Sequence, residues 1–290
     1  MSEAKQKRIA LVGSHHLSSL QALAKLADNK TLKFLLFGDA QKTLHLARSL
    51  NIATEHLEIQ ESDDETTLCS LAAQAAAEGH VDILMKGDVG SAALLKAVLN
   101  KHYNLVKEGS LLSHVAQMEL PFYHKKLYLT DSAVAIAPTV SEKLKIIANA
   151  LNLLASLGIS KAKVALIAPV EKVNPRIQST VDAQTIKELA SQTDLFGDAL
   201  VDGPFALDVA LLQEAALVKH IDSPVAADAD LLVMDNLDAA NALYKAWTMV
   251  AHVKSSALVI GAQLPIVLTS RSDEYTTRVA SLELALKASE

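Results

Sequence analysis

The apolar run Leu264-Pro265-Ile266-Val267-Leu268 ends in Thr269, Ser270 and Arg271, so two hydroxyls and a guanidinium follow directly on a short strand-like segment. In an open α/β sheet, ligands sit beyond the carboxyl ends of the strands, which is where such groups would act. Arginine supplies a permanently charged fork matched to phosphate, and serine adds one further donor. The alternative is an ordinary strand end, with Ser270 capping the next helix and Asp273 and Glu274 favouring its positive terminus. Lys86-Gly87 makes a second candidate anion site. It follows the apolar run 83–85 and precedes a helix beginning near Ser91, so backbone N–H groups there could cradle an anion beside the Lys86 ammonium. A plain strand-to-helix turn is the competing reading.

Further polar groups recur after apolar runs. Glu171, Lys172 and Asn174 follow the run 164–167, with Pro175 fixing the loop behind them. Asp202-Gly203-Pro204 repeats the arrangement after a weaker run at 199–201, and Asp208 then opens a helix, either as its N-cap or as a site carboxylate. His114, next to Ser113, begins another apolar run and is expected to hold a wall of the site by hydrogen bonding. The vicinal pair His15-His16 points in two directions and makes a poor chelate, so no metal site is expected. Neither a Gly-x-x-x-x-Gly-Lys-Ser/Thr loop nor a Gly-x-Gly-x-x-Gly fingerprint occurs, which disfavours nucleotide hydrolysis and a standard dinucleotide site.

These groups need a scaffold, and the hydrophobic pattern supplies one. Runs at 9–12, 34–37, 83–85, 164–167, 231–234 and 257–260 read as buried strands. Helical periodicity covers 17–27, 66–77, 92–99, 140–157, 186–190, 209–218 and 239–250. Alternation of the two predicts parallel sheets with right-handed crossovers. Segments 115–118 and 127–129, separated by Pro121, are expected to pair as a hairpin on a sheet edge. Thr139, with Glu142 three residues on, forms a capping box for the helix that would bridge two domains, and Gly158 ends that helix.

The chain has 290 residues, which exceeds one typical core. Half of it is hydrophobic with only 4% aromatics, a balance suited to helices packed on both faces of a buried sheet. A net charge of −6 without a polybasic block argues against nucleic acid and anionic membranes as partners. The single Cys69 excludes an intramolecular disulfide and reads as a buried structural thiol. The run 9–12 is too short for a signal-peptide core or a membrane span, so a soluble cytoplasmic protein is expected.

Several segments taken together resemble the phosphate acetyltransferase and phosphate butyryltransferase family. They are Asp82-Ile83-Leu84-Met85-Lys86-Gly87, Leu112-Ser113-His114-Val115, Thr130-Asp131-Ser132-Ala133 and Ile136-Ala137-Pro138-Thr139. Val170-Glu171-Lys172-Val173-Asn174-Pro175 with Thr180-Val181-Asp182-Ala183, Val201-Asp202-Gly203-Pro204 with Asp208, Ser223-Pro224-Val225-Ala226 and Asn241-Ala242-Leu243-Tyr244-Lys245 continue the series up to the Ser270-Arg271 ending. They run in the family's order from about residue 80 onward; the first 80 residues match only in general pattern.

The resemblance implies two α/β domains with mainly parallel sheets and an interdomain cleft, on the architecture of isocitrate and isopropylmalate dehydrogenases. The first domain would be discontinuous, residues 1–138 plus 265–290, and the second would span 139–264. It also implies transfer of an acetyl or short-chain acyl group between coenzyme A and inorganic phosphate, without a covalent enzyme intermediate. Carried over by position, Ser270 orients the acyl phosphate and Arg271 binds its phosphate, while Asp202, Asp208 or Asp273 takes the thiol proton. Lys86, Gly87, Ser91, Ser113, His114, Thr130, Asp131, Lys172, Asn174, Asp202 and Gly203 would contact substrate. Coenzyme A is then a substrate, no cofactor or metal is expected, and a homodimer is implied.

The chain departs from the family in places. Thr276 and Thr277 stand where the acetyltransferases carry a catalytic Asp, Lys107 is the only cation where butyryltransferase-like members carry arginine, and Ala135 replaces a usual Asn. These departures keep a second reading open, a weakly catalytic coenzyme A-binding regulator or scaffold. A metal-dependent hydroxy-acid dehydrogenase on the same architecture would need a convergent carboxylate cluster, which the dispersed Asp residues do not form.

Overall fold

The structure is a computed structural model that describes residues 6–27, 31–53, 57–270 and 273–289. The chain divides into two compact α/β units, Met1–Ser110 with Ser256–Glu290, and Leu111–Ser255.

In the first unit the strands β1 (Lys7–Val12), β2 (Leu32–Gly38), β3 (Glu58–Glu61) and β4 (Ile83–Lys86) alternate with helices α1 (Leu17–Leu26), α2 (Ala40–Ser49), α3 (Glu65–Ala77) and α4 (Ser91–Val98). The C-terminal β10 (Lys254–Ile260), β11 (Ile266–Val267) and α10 (Tyr275–Ala288) complete it, and the sheet order is β3-β2-β1-β4-β11-β10. All neighbours in this unit are parallel except β10 and β11. Ile9 to Val12 and Ile83 to Met85 are wholly buried, because helices cover both sheet faces; this is why those strands read as unbroken apolar runs. Asp39 and Asp64 each accept an N–H of the first helical turn and so start α2 and α3. The helix α2, absent from the sequence expectations, has a buried face of only Thr43 and Ala47, too thin a stripe for the apolar pattern to announce. Cys69 lies buried in α3, its thiol pushed up to about 11 first by burial and then by Glu65 and Asp64, which makes it inert.

The second unit has the strand order β5-β6-β9-β7-β8, from β5 (Ser113–Glu119), β6 (Leu127–Thr130), β7 (Lys163–Ile167), β8 (Leu200–Phe205) and β9 (Leu231–Val233). Its helices are α5 (Val140–Ser156), α6 (Gln178–Gln192), α7 (Leu207–Leu211), α8 (Gln213–Val218) and α9 (Leu237–Lys245). The capping box forms: Thr139 Oγ1 accepts the Glu142 N–H while Glu142 accepts the Thr139 N–H. The helical pattern at 209–218 breaks at Leu212, whose extended backbone separates α7 from α8. That at 239–250 ends α9 at Lys245 and finishes as one π-helical turn, Ala246–Val250.

Two expectations from sequence differ from this arrangement. The hairpin β5–β6 does not lie at an edge through β6, which pairs antiparallel with β5 on one side and parallel with β9 on the other. The unit boundaries fall at 110/111 and 255/256 rather than at 138 and 264. The pairing of β6 with β9 draws 111–138 into the second unit, and the antiparallel partnership Val259–Ile266 draws the end of β10 into the first.

The amino ends of β6, β7 and β9 are tied by charge. Asp228 receives Lys163, Lys125 at 2.9 Å and His124 at 2.8 Å, and Asp230 receives Lys125 at 2.7 Å. Burial alone would push the Asp228 carboxyl up, but the hydrogen bonds from Lys163, Lys125 and His124 overcome it and hold the group well below the usual carboxylate range. A carboxyl depressed in the folded state contributes stability that is present above its unfolded value near ~3.9 and is lost as pH falls through the folded value. Thermal unfolding of Asp228→Asn is therefore expected at a lower temperature than wild type at pH 7, with the gap shrinking steadily as pH falls below about 4. A gap independent of pH would remove the charge network from this account.

Candidate active site

In the first unit, β4 and β11 pair in parallel with Leu84 opposite Ile266 and Met85 opposite Val267. Residues some 180 apart in sequence thus reach the same sheet edge together, Lys86 at the end of β4 and Thr269-Ser270 just past β11. The loop after β4 is pressed onto the loop after β1: Gly87 N–H donates to Val12 C=O at 2.7 Å and Asp88 N–H to Gly13 C=O at 2.8 Å. A Cβ on Gly87 would sit 2.1 Å from the Gly13 carbonyl oxygen, so only glycine permits this approach. Lys86 is buried, and its ammonium donates to the carbonyls of Gly87 and Val89 at 3.4 Å each. Ser91 lies exposed in the first turn of α4, whose N-cap is Gly90.

Ser270 donates its N–H to Asp273 Oδ2 at 2.6 Å, and its C=O accepts Arg278 Nη2 at 2.7 Å. Asp273 is buried; desolvation pushes its carboxyl up, opposed by the Ser270 N–H and then by the charges of Arg278 and Lys86. Lys86, Ser270 and Asp273 are therefore brought into one group at the carboxyl ends of β4 and β11. Ser270 does not cap the following helix, because α10 begins at Tyr275 with Glu274 at its N-cap position. Arg271 lies outside the described residues.

The second unit gathers another group where β5 begins and β6 ends. Thr130 Oγ1 donates to His114 C=O at 2.8 Å, and Asp131 accepts the N–H groups of His114, Ala133 and Val134 at 2.8 to 2.9 Å. Ser132 Oγ lies 2.9 Å from His114 Nδ1, Ser113 Oγ accepts Asn149 Nδ2 at 3.1 Å, and Tyr244 meets the imidazole edge-on. Burial pushes His114 below its ordinary value against the pull of Asp131, so the ring is neutral at pH 7 and serves as a hydrogen-bonding group.

The remaining sequence candidates are spread through the second unit. Asp202 binds Gly203 N–H at 2.7 Å, Lys187 at 2.6 Å and Ser223 Oγ at 2.5 Å, so its carboxylate is occupied. Gly203 has φ +147°, and a Cβ there would come 2.6 Å from Leu166 C=O. Asp208 is not the N-cap of α7, which is Ala206; it pairs instead with Lys219, which also binds Glu171. The hydrogen bond from Lys219 is the chief reason its carboxyl lies below the ordinary value, which makes it a poor base. In the loop after β7, Lys172 is exposed, and Asn174 Oδ1 accepts Arg176 N–H in a local turn.

Sequence reading missed two buried charges. Arg278 is completely enclosed, on the α10 face shared with Ser281, Leu282 and Ala285, and Lys143 is enclosed on the α5 face shared with Ile146, Ile147 and Ala150. Both begin an i, i+3, i+4, i+7 stripe whose other members are small or apolar; a charge at a stripe position was the available signal. Lys143 bridges Asp182 and Asp235 beside a small cavity at the carboxyl ends of β7 and β9. Among the described residues no group of three or more His, Cys, Asp or Glu side chains is arranged to hold a metal ion, and no helix is long and apolar enough to cross a membrane.

The fold and the polar strand ends together define an α/β protein of mainly parallel strands with polar groups gathered at their carboxyl ends. The family model described as "Phosphate acetyl/butaryl transferase" matches residues 66–285. A phosphate butyryltransferase of Clostridium beijerinckii is 35% identical over 285 residues, covering 98% of this chain and 94% of that one. A phosphate acetyltransferase of Thermotoga maritima is 31% identical over 285 residues, covering 98% and 96%. The crystal structure of a branched-chain phosphotransacylase from Enterococcus faecalis V583 superposes with a TM-score of 0.87 at 32% identity, covering 98% of this chain and 99% of that one. The chain belongs to the phosphate acetyl/butyryl transferase family.

Gly87→Ala is expected to cost more than about 2 kcal/mol in urea unfolding, because backbone rather than a flexible side chain must yield. An unfolding midpoint equal to wild type would show that the two loops are not locked together.

Proposed function

We propose that the protein catalyses acyl-CoA + phosphate = acyl phosphate + CoA for an acetyl or short-chain acyl group. What carries the proposal is the gathering of Lys86, Ser270 and Asp273 at one pair of strand ends in a chain of this family. In the direction of thioester formation, a carboxylate takes the proton of the coenzyme A thiol, because the thiolate is the nucleophile and a free thiol is mostly protonated at pH 7. The sulfur attacks the acyl carbonyl, the C–S bond forms, and the C–O bond to phosphate breaks with its electron pair staying on phosphate. A cation must meet that developing charge, and a hydroxyl can steady the carbonyl or leaving oxygen. Arg271 and Lys86 suit the first task and Ser270 the second.

Of the three carboxylates considered, Asp273 suits the base best. Asp202 and Asp208 are each bound to a lysine, whereas Asp273 is raised by burial and stands within this group. We assign Ser91 at the α4 terminus, and Ser113, His114, Thr130, Asp131, Lys172, Asn174 and Gly203 of the second unit, to substrate contacts. No cofactor or metal is required, and we place the enzyme in the cytoplasm as a homodimer. Its kinship favours an enzyme over a coenzyme A-binding regulator.

A thiol assay over acetyl-, propionyl- and butyryl-CoA should give phosphate-dependent release of coenzyme A, falling by about 100-fold or more in Ser270→Ala and in Arg271→Ala. Absence of release from all three thioesters refutes the proposal, and coenzyme A binding without release would point to the regulator instead. If Asp273 is the base, Asp273→Asn removes the acid limb of the rate profile. In wild type that limb lies above the free-Asp value of ~3.9, because burial outweighs the opposing Ser270 N–H, Arg278 and Lys86.

A further inference from the structure

Arg278 sits eight positions beyond Ser270, on a helix, with no solvent-exposed surface, so it cannot touch substrate. A guanidinium is costly to enclose unless its donors are used; here Nη1 and Nη2 are used in a particular way, while Nε has no partner among the described residues. Nη2 holds the Ser270 carbonyl at 2.7 Å, while Nη1 binds the Thr269 hydroxyl and reaches Ser19 Oγ on α1 at 3.3 Å. Ser19 Oγ in turn lies 3.1 Å from His16 Nδ1 and 3.5 Å from the Lys86 carbonyl. One side chain thus links the segment after β11 to α1 and, through Ser19, to the end of β4.

Asp273 completes the arrangement from the other side. The Ser270 N–H is held by a carboxylate and the Ser270 C=O by a guanidinium, so both peptide groups of one residue are clamped by opposite charges. Charge-assisted bonds of this kind are about twice as strong as neutral ones. With its backbone fixed at both ends, the Ser270 hydroxyl can leave Cβ only along the staggered rotamer directions.

We infer that Arg278 is a positioning residue that acts through Ser270: its fork fixes the Thr269-Ser270 segment so that the Ser270 hydroxyl meets the acyl phosphate. The inference rests on the acyltransferase reading of Ser270. Lysine does not reproduce the fork, because its ammonium is a single point donor where Arg278 presents separate nitrogens to Thr269 Oγ1 and Ser270 C=O. A displacement of about 1 Å at a reacting group can cost on the order of 100-fold in rate.

The experiment is a double-mutant cycle of Arg278→Lys with Ser270→Ala, measured as kcat and as KM for coenzyme A and phosphate in the full-length protein. Arg278→Lys is expected to lower kcat by about 10- to 100-fold, leave KM for coenzyme A within about twofold, and add almost nothing to the loss already caused by Ser270→Ala. A residue that served stability alone would give additive losses, and additivity overturns the inference, as does wild-type kcat in Arg278→Lys. If Arg278→Lys does not fold, Thr269→Val takes its place in the cycle. It removes one acceptor of the fork without changing volume, and wild-type kcat or additivity there overturns the inference equally. Full activity in Ser270→Ala would instead refute the reading of Ser270 itself, so the two failures are distinct.

Discussion

The parallel pairing of β11 with β4 is the constraint on which the candidate site depends. It involves only two registered residue pairs, yet it places a C-terminal segment beside the end of a strand that lies some 180 residues earlier. Without it, Lys86 would end an ordinary strand and Ser270 would belong to a terminal tail. The pairing is secured by burial, since Ile266, Val267, Leu84 and Met85 are all fully enclosed. It is secured again by α10, which brings Arg278 back under the segment it follows.

Within each unit the polar groups divide by task. Asp131, Asp202 and Asp208 are carboxylates whose oxygens are taken up by N–H groups, lysines or a hydroxyl, so they set loop shape. His114 is buried and neutral, and its partners hold the meeting point of β5 and β6 in place. Asp273 is raised by burial where Asp208 is lowered by its hydrogen bond from Lys219, and a raised carboxyl is the better matched proton acceptor near neutral pH. Residue type alone could not separate these carboxylates; the number and charge of their partners does.

Much of the scaffold could be read from residues. Fully buried parallel strands produce continuous apolar runs, so β1, β4, β7 and β9 were evident, and the Thr139–Glu142 capping box marked the start of α5. The helix α2 escaped because most of its surface faces solvent. The break between α7 and α8 escaped because Leu212 carries no breaker chemistry and is extended only in context. Arg278 and Lys143 escaped for a related reason: charged side chains are expected outside, and only the surrounding stripe hinted otherwise.

By itself the sequence determined the alternation of strand and helix, the kinship with phosphate acyltransferases, and the presence of Ser270, Lys86 and Asp273 at element ends. Those are local properties, carried by hydrophobic period, capping chemistry and ordered short motifs. Tertiary structure alone decided where the units divide, which carboxylates are neutralised, and that Arg278 grips the Ser270 carbonyl. Each of these depends on contacts between segments far apart in the chain. Their energies come from desolvation and charge pairing, which no single stretch of sequence contains.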